Sequence, residues 1–417
     1  MKTNPFLSFR ILIPAALLLA SDAVLAQSQF NLQGHRDLRR RPDSPVVVAP
    51  SSRLQFGDPL PNLTPDQLAA FAKGLEEFEN EDTPESGLGP VFNNVSCVAC
   101  HFSPAVGGAS EILETRFGRL VNRVFDPLTE LGGSLLQEFA IDPQCQESIP
   151  AAANVIAKRQ ATPLFGSGLI EAIPDRAILQ MAMSRRPDGI TGRAARVLDV
   201  ATGQMRIGRF GWKAQQATLL AFSADAYLNE VGITSRLFPQ ENAPNGNLDT
   251  LALFDTVPDP EDETDPETGR SDIDLFTDFM RFLAPPPRLP LTQSARAGEA
   301  LFTLVGCANC HQPVMFTGRN SIEALDQKPV RLFSDLLLHD MGSLGDGIAQ
   351  GAAGPREMRT APLWGLRASA PYLHDGRAAT VDLAIRAHDG EGARARERFI
   401  RLNFYQRRQI LDFLNSI

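Results

Sequence analysis

The chain has 417 residues, long enough for two domains of ordinary size, and sets 40 Lys and Arg against 49 Asp and Glu for a formal charge of −9. That balance argues against nucleic acid and against an anionic membrane as partners, and it suits a small basic redox protein better. At the start, Lys2 and Arg10 flank the apolar run Ile11 to Ala20, and small residues follow as far as Ala26, the pattern of a secretory signal peptide. The run is too short to span a bilayer, and no later stretch reaches about 18 uninterrupted apolar residues. The expectation is therefore export to the periplasm with cleavage near Ala26. No membrane span would remain, and the charge would fall to about −10, since Lys2 and Arg10 outweigh Asp22 by one.

Residues 27–56 read as an N-terminal extension in which His35 is solvated. From Pro65 to Glu79 the apolar residues Leu68, Phe71, Leu75 and Phe78 fall on one face of a predicted helix, and a loop over 80–95 leads to Cys97. Here stands the first of two pairs, Cys97-Val98-Ala99-Cys100-His101; the second is Cys307-Ala308-Asn309-Cys310-His311. Two thioethers at this spacing clamp the vinyl groups of a porphyrin, and the imidazole that follows reaches its iron. A redox dithiol or half of a zinc site can also use Cys-x-x-Cys, but both pairs here run directly into His in an exported chain. No further pair stands at the roughly 15–20-residue spacing that zinc requires. The reading is two covalently bound c-type haems, with His101 and His311 as proximal ligands. Cys145, the one remaining cysteine, reads as a small buried hydrophobe.

An internal repeat accompanies the pairs. Arg159-Gln-Ala-Thr-Pro-Leu-Phe-Gly166 follows the first, and Met358-Arg-Thr-Ala-Pro-Leu-Trp-Gly365 follows the second. Before the second pair, Ala297, Ala300, Leu301, Leu304 and Val305 have helical spacing that ends at Gly306. Between the halves, the proline-rich stretch 283–293 reads as a stiff linker. The expected architecture is mainly α: two cytochrome-c-like haem domains with long loops, over 57–282 and 294–417. The first carries an insertion whose acidic part, 255–274, lacks the glycine of an EF-hand and reads as a solvated mobile loop.

Leu338-His-Asp-Met-Gly342 and the long segment Arg359 to Arg377 resemble the bacterial di-haem cytochrome c peroxidase and MauG superfamily. Gly87 to Asn93, Gly168 to Asp175, Gly208 to Ala214 and Ser334 to Gly342 are most similar to the group called di-haem oxidoreductases or thiol oxidoreductases. The resemblance extends from about Gly57 onward. It implies two haems close enough to exchange electrons, one reacting with hydrogen peroxide and the other relaying charge. The electrons would come from a small redox protein, a cytochrome c or cupredoxin, or from a side chain of a protein substrate.

In such peroxidases the second haem's distal ligand follows the Pro-Tyr-x-His-Asp-Gly segment, a place held here by His388, with Met341 as the other candidate. His339 and His374 lie in turn-like segments that a histidine commonly orders. No His lies between His101 and His311, so unless Met181, Met183, Met205 or an oxygen ligand coordinates, the first iron keeps an open position. Peroxide cleavage there needs a base, and Glu171, set among apolar residues, is the candidate. The chain departs from the family in two places. Pro174 precedes Asp175 where relatives carry an inter-haem Trp, leaving Trp212, Trp364 or Tyr372 for that role. Gln160 replaces the Asn that helps relatives hold calcium between domains. The alternative to an enzyme is a non-catalytic electron-transfer cytochrome, in which both irons are six-coordinate. A thiol oxidoreductase would need a second free cysteine beside Cys145.

Overall fold

A computed structural model describes residues 54–417 apart from Arg123; the expected signal peptide and His35 lie outside the described residues. Helix α1 (Pro65–Phe78) starts at Thr64, whose hydroxyl accepts from the Gln67 N–H while the Gln67 side chain accepts from the Thr64 N–H, a capping box. Short strands follow: β1 (Val91–Phe92), β2 (Leu113–Val121), β3 (Val124–Asp126), β4 (Leu135–Leu136), β5 (Phe139–Ala140) and β6 (Val155–Gln160). Strand β2 is the centre of an antiparallel sheet, pairing with β3, β4 and β6, and β1 pairs with β5. Helices α2 (Ser167–Glu171) and α3 (Asp175–Met183) lead to a hairpin of β7 (Arg196–Asp199) and β8 (Gln204–Ile207). Helix α4 (Leu219–Ala226) then runs into one turn of π-helix, Tyr227–Val231, before α5 (Leu248–Phe254) and α6 (Asp272–Phe282).

The second half opens with α7 (Gln293–Leu304). Strand β9 (Met315–Phe316) pairs with β10 (Pro329–Val330), and β11 (Leu338–Asp340) with β12 (Glu357–Arg359). Helices α8 (Val381–Ala387), α9 (Ala393–Arg401) and α10 (Phe404–Leu414) complete it. Helices carry the packing and the strands are short connectors, in line with the mainly α expectation.

The repeat read from the sequence has a packing counterpart. Helix α1 lies on α6, and α7 lies on α10, each crossing made at a glycine. A Cβ on Gly74 would stand 2.3 Å from the Leu275 carbonyl oxygen, and one on Gly298 would stand 1.9 Å from that of Gln409. Four residues after each glycine comes a phenylalanine that meets the following Cys-x-x-Cys-His histidine: Phe78 lies 6.1 Å from His101 and Phe302 6.4 Å from His311, ring centre to ring centre. Each is backed by one from the partner helix, Phe279 or Phe413. The close helix approach, rather than the widest apolar stripe, therefore selects the buried face. Leu68 is 43% exposed and Leu304 75%, although the spacing put both inside.

The two halves also touch through equivalent turns. Gly166 and Gly365, at the ends of the repeated segments, both take the left-handed conformation (φ +72° and +73°), and a Cβ on Gly166 would press on the Trp364 ring at 2.7 Å. The stretch 283–293 is held on both sides: the Ala284 N–H donates to the Asp58 carbonyl, and the Leu289 N–H to that of Ser416. The acidic insertion is solvated over 263–269, but its Asp262 is buried. That carboxylate accepts from the Ser271 hydroxyl and the Asp272 N–H, fastening the loop to the start of α6.

Candidate haem-binding sites

The second site is the simpler one. Cys307 and Cys310 are half-buried free thiols on a 3₁₀ turn that opens after Gly306, and His311 follows them into a cavity of about 290 Å³. The His311 Nδ1 donates to the Phe333 carbonyl at 3.0 Å. A carbonyl can only accept, so this bond fixes the tautomer and leaves Nε2 as a lone-pair donor. His388, the residue that ends α8, is set the same way, with Nδ1 bonded to the Ala384 carbonyl at 2.8 Å. The two rings face each other at 6.4 Å between centres. One metal ion held between two imidazole nitrogens, at about 2 Å from each, requires about that spacing. Burial pushes the His311 imidazole down to about 4, with His388 adding to the effect, and burial also lowers His388, so both are neutral at pH 7 and able to ligate. Met341 lines the same cavity. These residues fit a haem c clamped by Cys307 and Cys310.

At the first site, Cys97 and Cys100 are again half-buried free thiols, and the His101 Nδ1 donates to the Gly108 carbonyl at 2.9 Å. The distal side differs. Helix α4 is the counterpart of α8: each has a threonine N-cap, Thr218 or Thr380, that accepts from the N–H three residues on. His388 is the eighth residue after Thr380, and the eighth after Thr218 is Ala226. Of the methionines that could have substituted, Met183 and Met205 are 76% and 62% exposed and lie at the surface.

Polar residues gather instead beside Cys100. On β2, Thr115 and Phe117 point into the sheet's closed face, while Glu114 and Arg116 on the other face keep 21% and 14% exposure. Arg116 grips Glu114 with two bonds, Nε to Oε1 at 2.9 Å and a terminal nitrogen to Oε2 at 3.0 Å. Glu230, from the π-turn, meets Glu114 there and accepts from the Asn93 amide at 2.8 Å. Burial and then the Glu114 charge push the Glu230 carboxyl up to about 8. Burial acts on Glu114 too, but Arg116 and Arg159 outweigh it and hold that carboxyl below its ordinary range. Burial, followed by the Glu230 and Glu114 charges, pushes the Cys100 thiol up to about 12. Sequence reasoning passed over Glu230 because nothing in its local pattern marks it; the threonine caps were the usable signal, since they align the two distal turns.

Glu171 occupies a different place. Its Oε1 accepts from the Leu219 N–H at 2.8 Å and its Oε2 from Arg281 at 3.1 Å, so one oxygen secures the start of α4 and the other ties it to α6. His339 is buried between Asp335 (3.0 Å) and Glu391 (2.6 Å), with the Cys310 sulfur at 3.8 Å; Asp335, then Cys310 and Glu391, override burial and raise its imidazole to about 12. His374 packs edge-on to Trp212 at 6.2 Å, and the Trp212 N–H donates to the Gln160 carbonyl. Gln160 in turn donates to the Ser110 carbonyl, joining the loop after His101 to a residue that lines the second cavity. Cys145 is fully buried.

The family model described as "Di-haem oxidoreductase, putative peroxidase" matches residues 148–417. The chain belongs to this di-haem oxidoreductase family. The matched region of the di-haem oxidoreductase holds the second cysteine pair, His388, Glu171 and Glu230, and the first pair lies upstream of it. Two solved structures are similar in part. One is a hydrazine synthase of Kuenenia stuttgartiensis, 15% identical, covering 91% of this chain and 99% of its own with a TM-score of 0.37. The other is a MauG-like protein associated with microbial copper homeostasis, 16% identical, covering 88% and 95% with a TM-score of 0.40. No curated protein matches the chain.

Proposed function

We propose that this di-haem oxidoreductase is a periplasmic peroxidase-type enzyme, with haem c attached at Cys97 and Cys100 and again at Cys307 and Cys310. The signal peptide ending near Ala26 supports export, and the two Cys-x-x-Cys-His motifs support covalent attachment. When bound, the haems supply the one-electron steps that join peroxide reduction to oxidation of a donor. The observation that carries the reading is the difference between the distal turns: an imidazole at His388, and at the equivalent Ala226 a methyl group with the Glu230–Glu114–Arg116 cluster beside it.

His388 closes the second site and suits it to relay. The first site stays open to a small oxidant. Glu230 is the group placed to move a proton between peroxide oxygens, because it lies beside Cys100 with a raised affinity for a proton. The Arg116 guanidinium holds Glu114 ionised, so Glu230 is the member of the pair that gains and loses the proton. Glu171 secures α4, which carries the turn. The donor would be a small redox protein, a cytochrome c or cupredoxin, or a side chain of a protein substrate. Electron paramagnetic resonance of the diferric holoprotein tests the reading: one low-spin bis-imidazole centre and one high-spin centre that binds cyanide are expected. Two low-spin centres indifferent to cyanide would make the chain an electron carrier.

A further inference from the structure

The π-turn that carries Glu230 begins with Tyr227, directly after Ala226. Tyr227 is 2% exposed and packs toward α6. Its ring meets Phe276 edge-on at 5.0 Å, Phe276 meets Phe78 at 6.3 Å, and Phe78 meets the His101 ring at 6.1 Å. An unbroken aromatic path thus joins the proximal ligand of the first haem to this phenol.

The far end of the path is built for a proton. The Tyr227 hydroxyl donates to Asp272 Oδ2 at 3.2 Å, with the Asp82 carboxylate as a second neighbour. Glu77 and Asp262 stand close by, and the charges acting on these four carboxylates are mostly their own. Burial brings Asp272 to about 6 and Asp82 to about 7, so Asp272 is ionised at neutral pH and accepts a proton at little cost. Both aspartates are partly exposed, which opens the cluster to solvent. A buried phenol needs a hydrogen-bond partner in any case, and here the partner is a carboxylate that can also take the proton outright. The other two tyrosines lack this setting: Tyr405 is 77% exposed, and Tyr372 lines the second cavity.

We propose that Tyr227 is a redox-active residue that carries oxidising equivalents from the first haem toward the protein surface. The inference rests on the peroxidase reading above. Tyr227 gives one electron to the peroxide-oxidised haem and its phenolic proton to the Asp272 carboxylate. The products are a neutral tyrosyl radical, a protonated Asp272 and a haem one equivalent less oxidised. A one-electron donor at the surface then reduces the radical, and the proton returns from Asp272 to the phenolate oxygen.

The test is freeze-quenched electron paramagnetic resonance of the holoprotein mixed with hydrogen peroxide, with the visible haem spectrum followed in parallel. The wild type should give an organic radical whose hyperfine pattern narrows when the protein is made with ring-deuterated tyrosine. Tyr227→Phe, which removes only a hydroxyl, should lose that signal while peroxide still changes the haem spectrum. Tyr372→Phe and Tyr405→Phe should keep the signal. Asp272→Asn, which retains the ring, should lower the radical yield and guards against a folding artefact in the first variant. A radical that survives Tyr227→Phe while the haem still reacts overturns the inference and leaves the peroxidase reading intact. A resting haem spectrum altered by Tyr227→Phe would make Tyr227 a ligand instead. A haem spectrum indifferent to peroxide in the wild type would overturn both.

Discussion

Glu114 and Glu230 meet as a carboxyl pair beside Cys100, one held ionised by Arg116 and the other kept protonated by burial and by its partner's charge. The pair titrates as a unit, with its upper step near 8. Only the ionised form of Glu230 can take a proton from peroxide. The peroxide reaction should therefore speed up as pH rises through about 8 and level off above it. Glu230→Gln should abolish that rise and slow the reaction by roughly 10²–10⁴-fold, the usual contribution of a positioned acid–base group. Stopped-flow traces of the first haem against pH would show it, and a flat wild-type profile would remove Glu230 from the role.

Glu171 supplies the contrast. Its carboxylate is committed to the Leu219 N–H, at the start of the helix that leads to the π-turn, and to Arg281 on α6. Glu171→Gln should cost about 1–2 kcal/mol of stability, the scale of a lost charged cap and ion pair, and leave the peroxide rate within a few-fold of wild type. Chemical denaturation beside the same stopped-flow assay separates the outcomes. A rate loss near that of Glu230→Gln, without a shift in the denaturation midpoint, would return the base to Glu171.

At the second site, His388 faces His311 at 6.4 Å with its tautomer fixed by the Ala384 carbonyl. His388→Ala should turn the low-spin bis-imidazole signal into a high-spin one, or into a His–Met signal if Met341 moves in, while the first haem's signal stays. Activity with an external donor should fall as relay is lost. A His–Met centre would also report a higher reduction potential. Persistence of the bis-imidazole signal would show that another histidine is the ligand.

How much of this was legible beforehand follows from the range of the interactions. The cysteine pairs and their histidines are fixed by spacing along a few residues, so the sequence displays them whole. The helices before each pair were legible as helices, but their buried faces were not. The contact at Gly74 and Gly298 is set by the backbones of α6 and α10, more than a hundred residues downstream of each glycine, and a helix's own apolar stripe does not report it. The same limit hid the polar cluster at the first site. Glu230 is drawn to Glu114 and Arg116 by tertiary packing, and the π-turn shifts the helical phase just where a 3.6-residue reading would place the side chain. Glu171 looked apolar-embedded in sequence because its neighbours are buried, yet its own oxygens reach two partners distant in the chain.

The last prediction concerns how the halves are joined. Asp346, from the second half, is fully enclosed: one oxygen lies 2.7 Å from Arg159 on β6, and the other 2.8 Å from the Lys213 ammonium just before α4. The Ile348 N–H adds a third bond at 3.0 Å. Removing the charge strands two buried cations, a change that typically costs about 3–5 kcal/mol. Asp346→Asn should accordingly lower the urea midpoint sharply at pH 7, whereas Asp340→Asn, at a half-exposed pair with Arg356, should shift it little. The acid limb supplies a second signature. Arg159 and Lys213 hold the Asp346 carboxyl below its ordinary value of 3.8 in the folded state. Its contribution is therefore complete above the unfolded value and is lost as pH falls through the folded one. Between neutral pH and about 3 the wild type should lose stability that Asp346→Asn has already lost, so the gap between them narrows on acidification. Urea titrations of both proteins at the two ends of that range measure it, and a gap that stays constant would mean that Asp346 contributes through packing rather than charge.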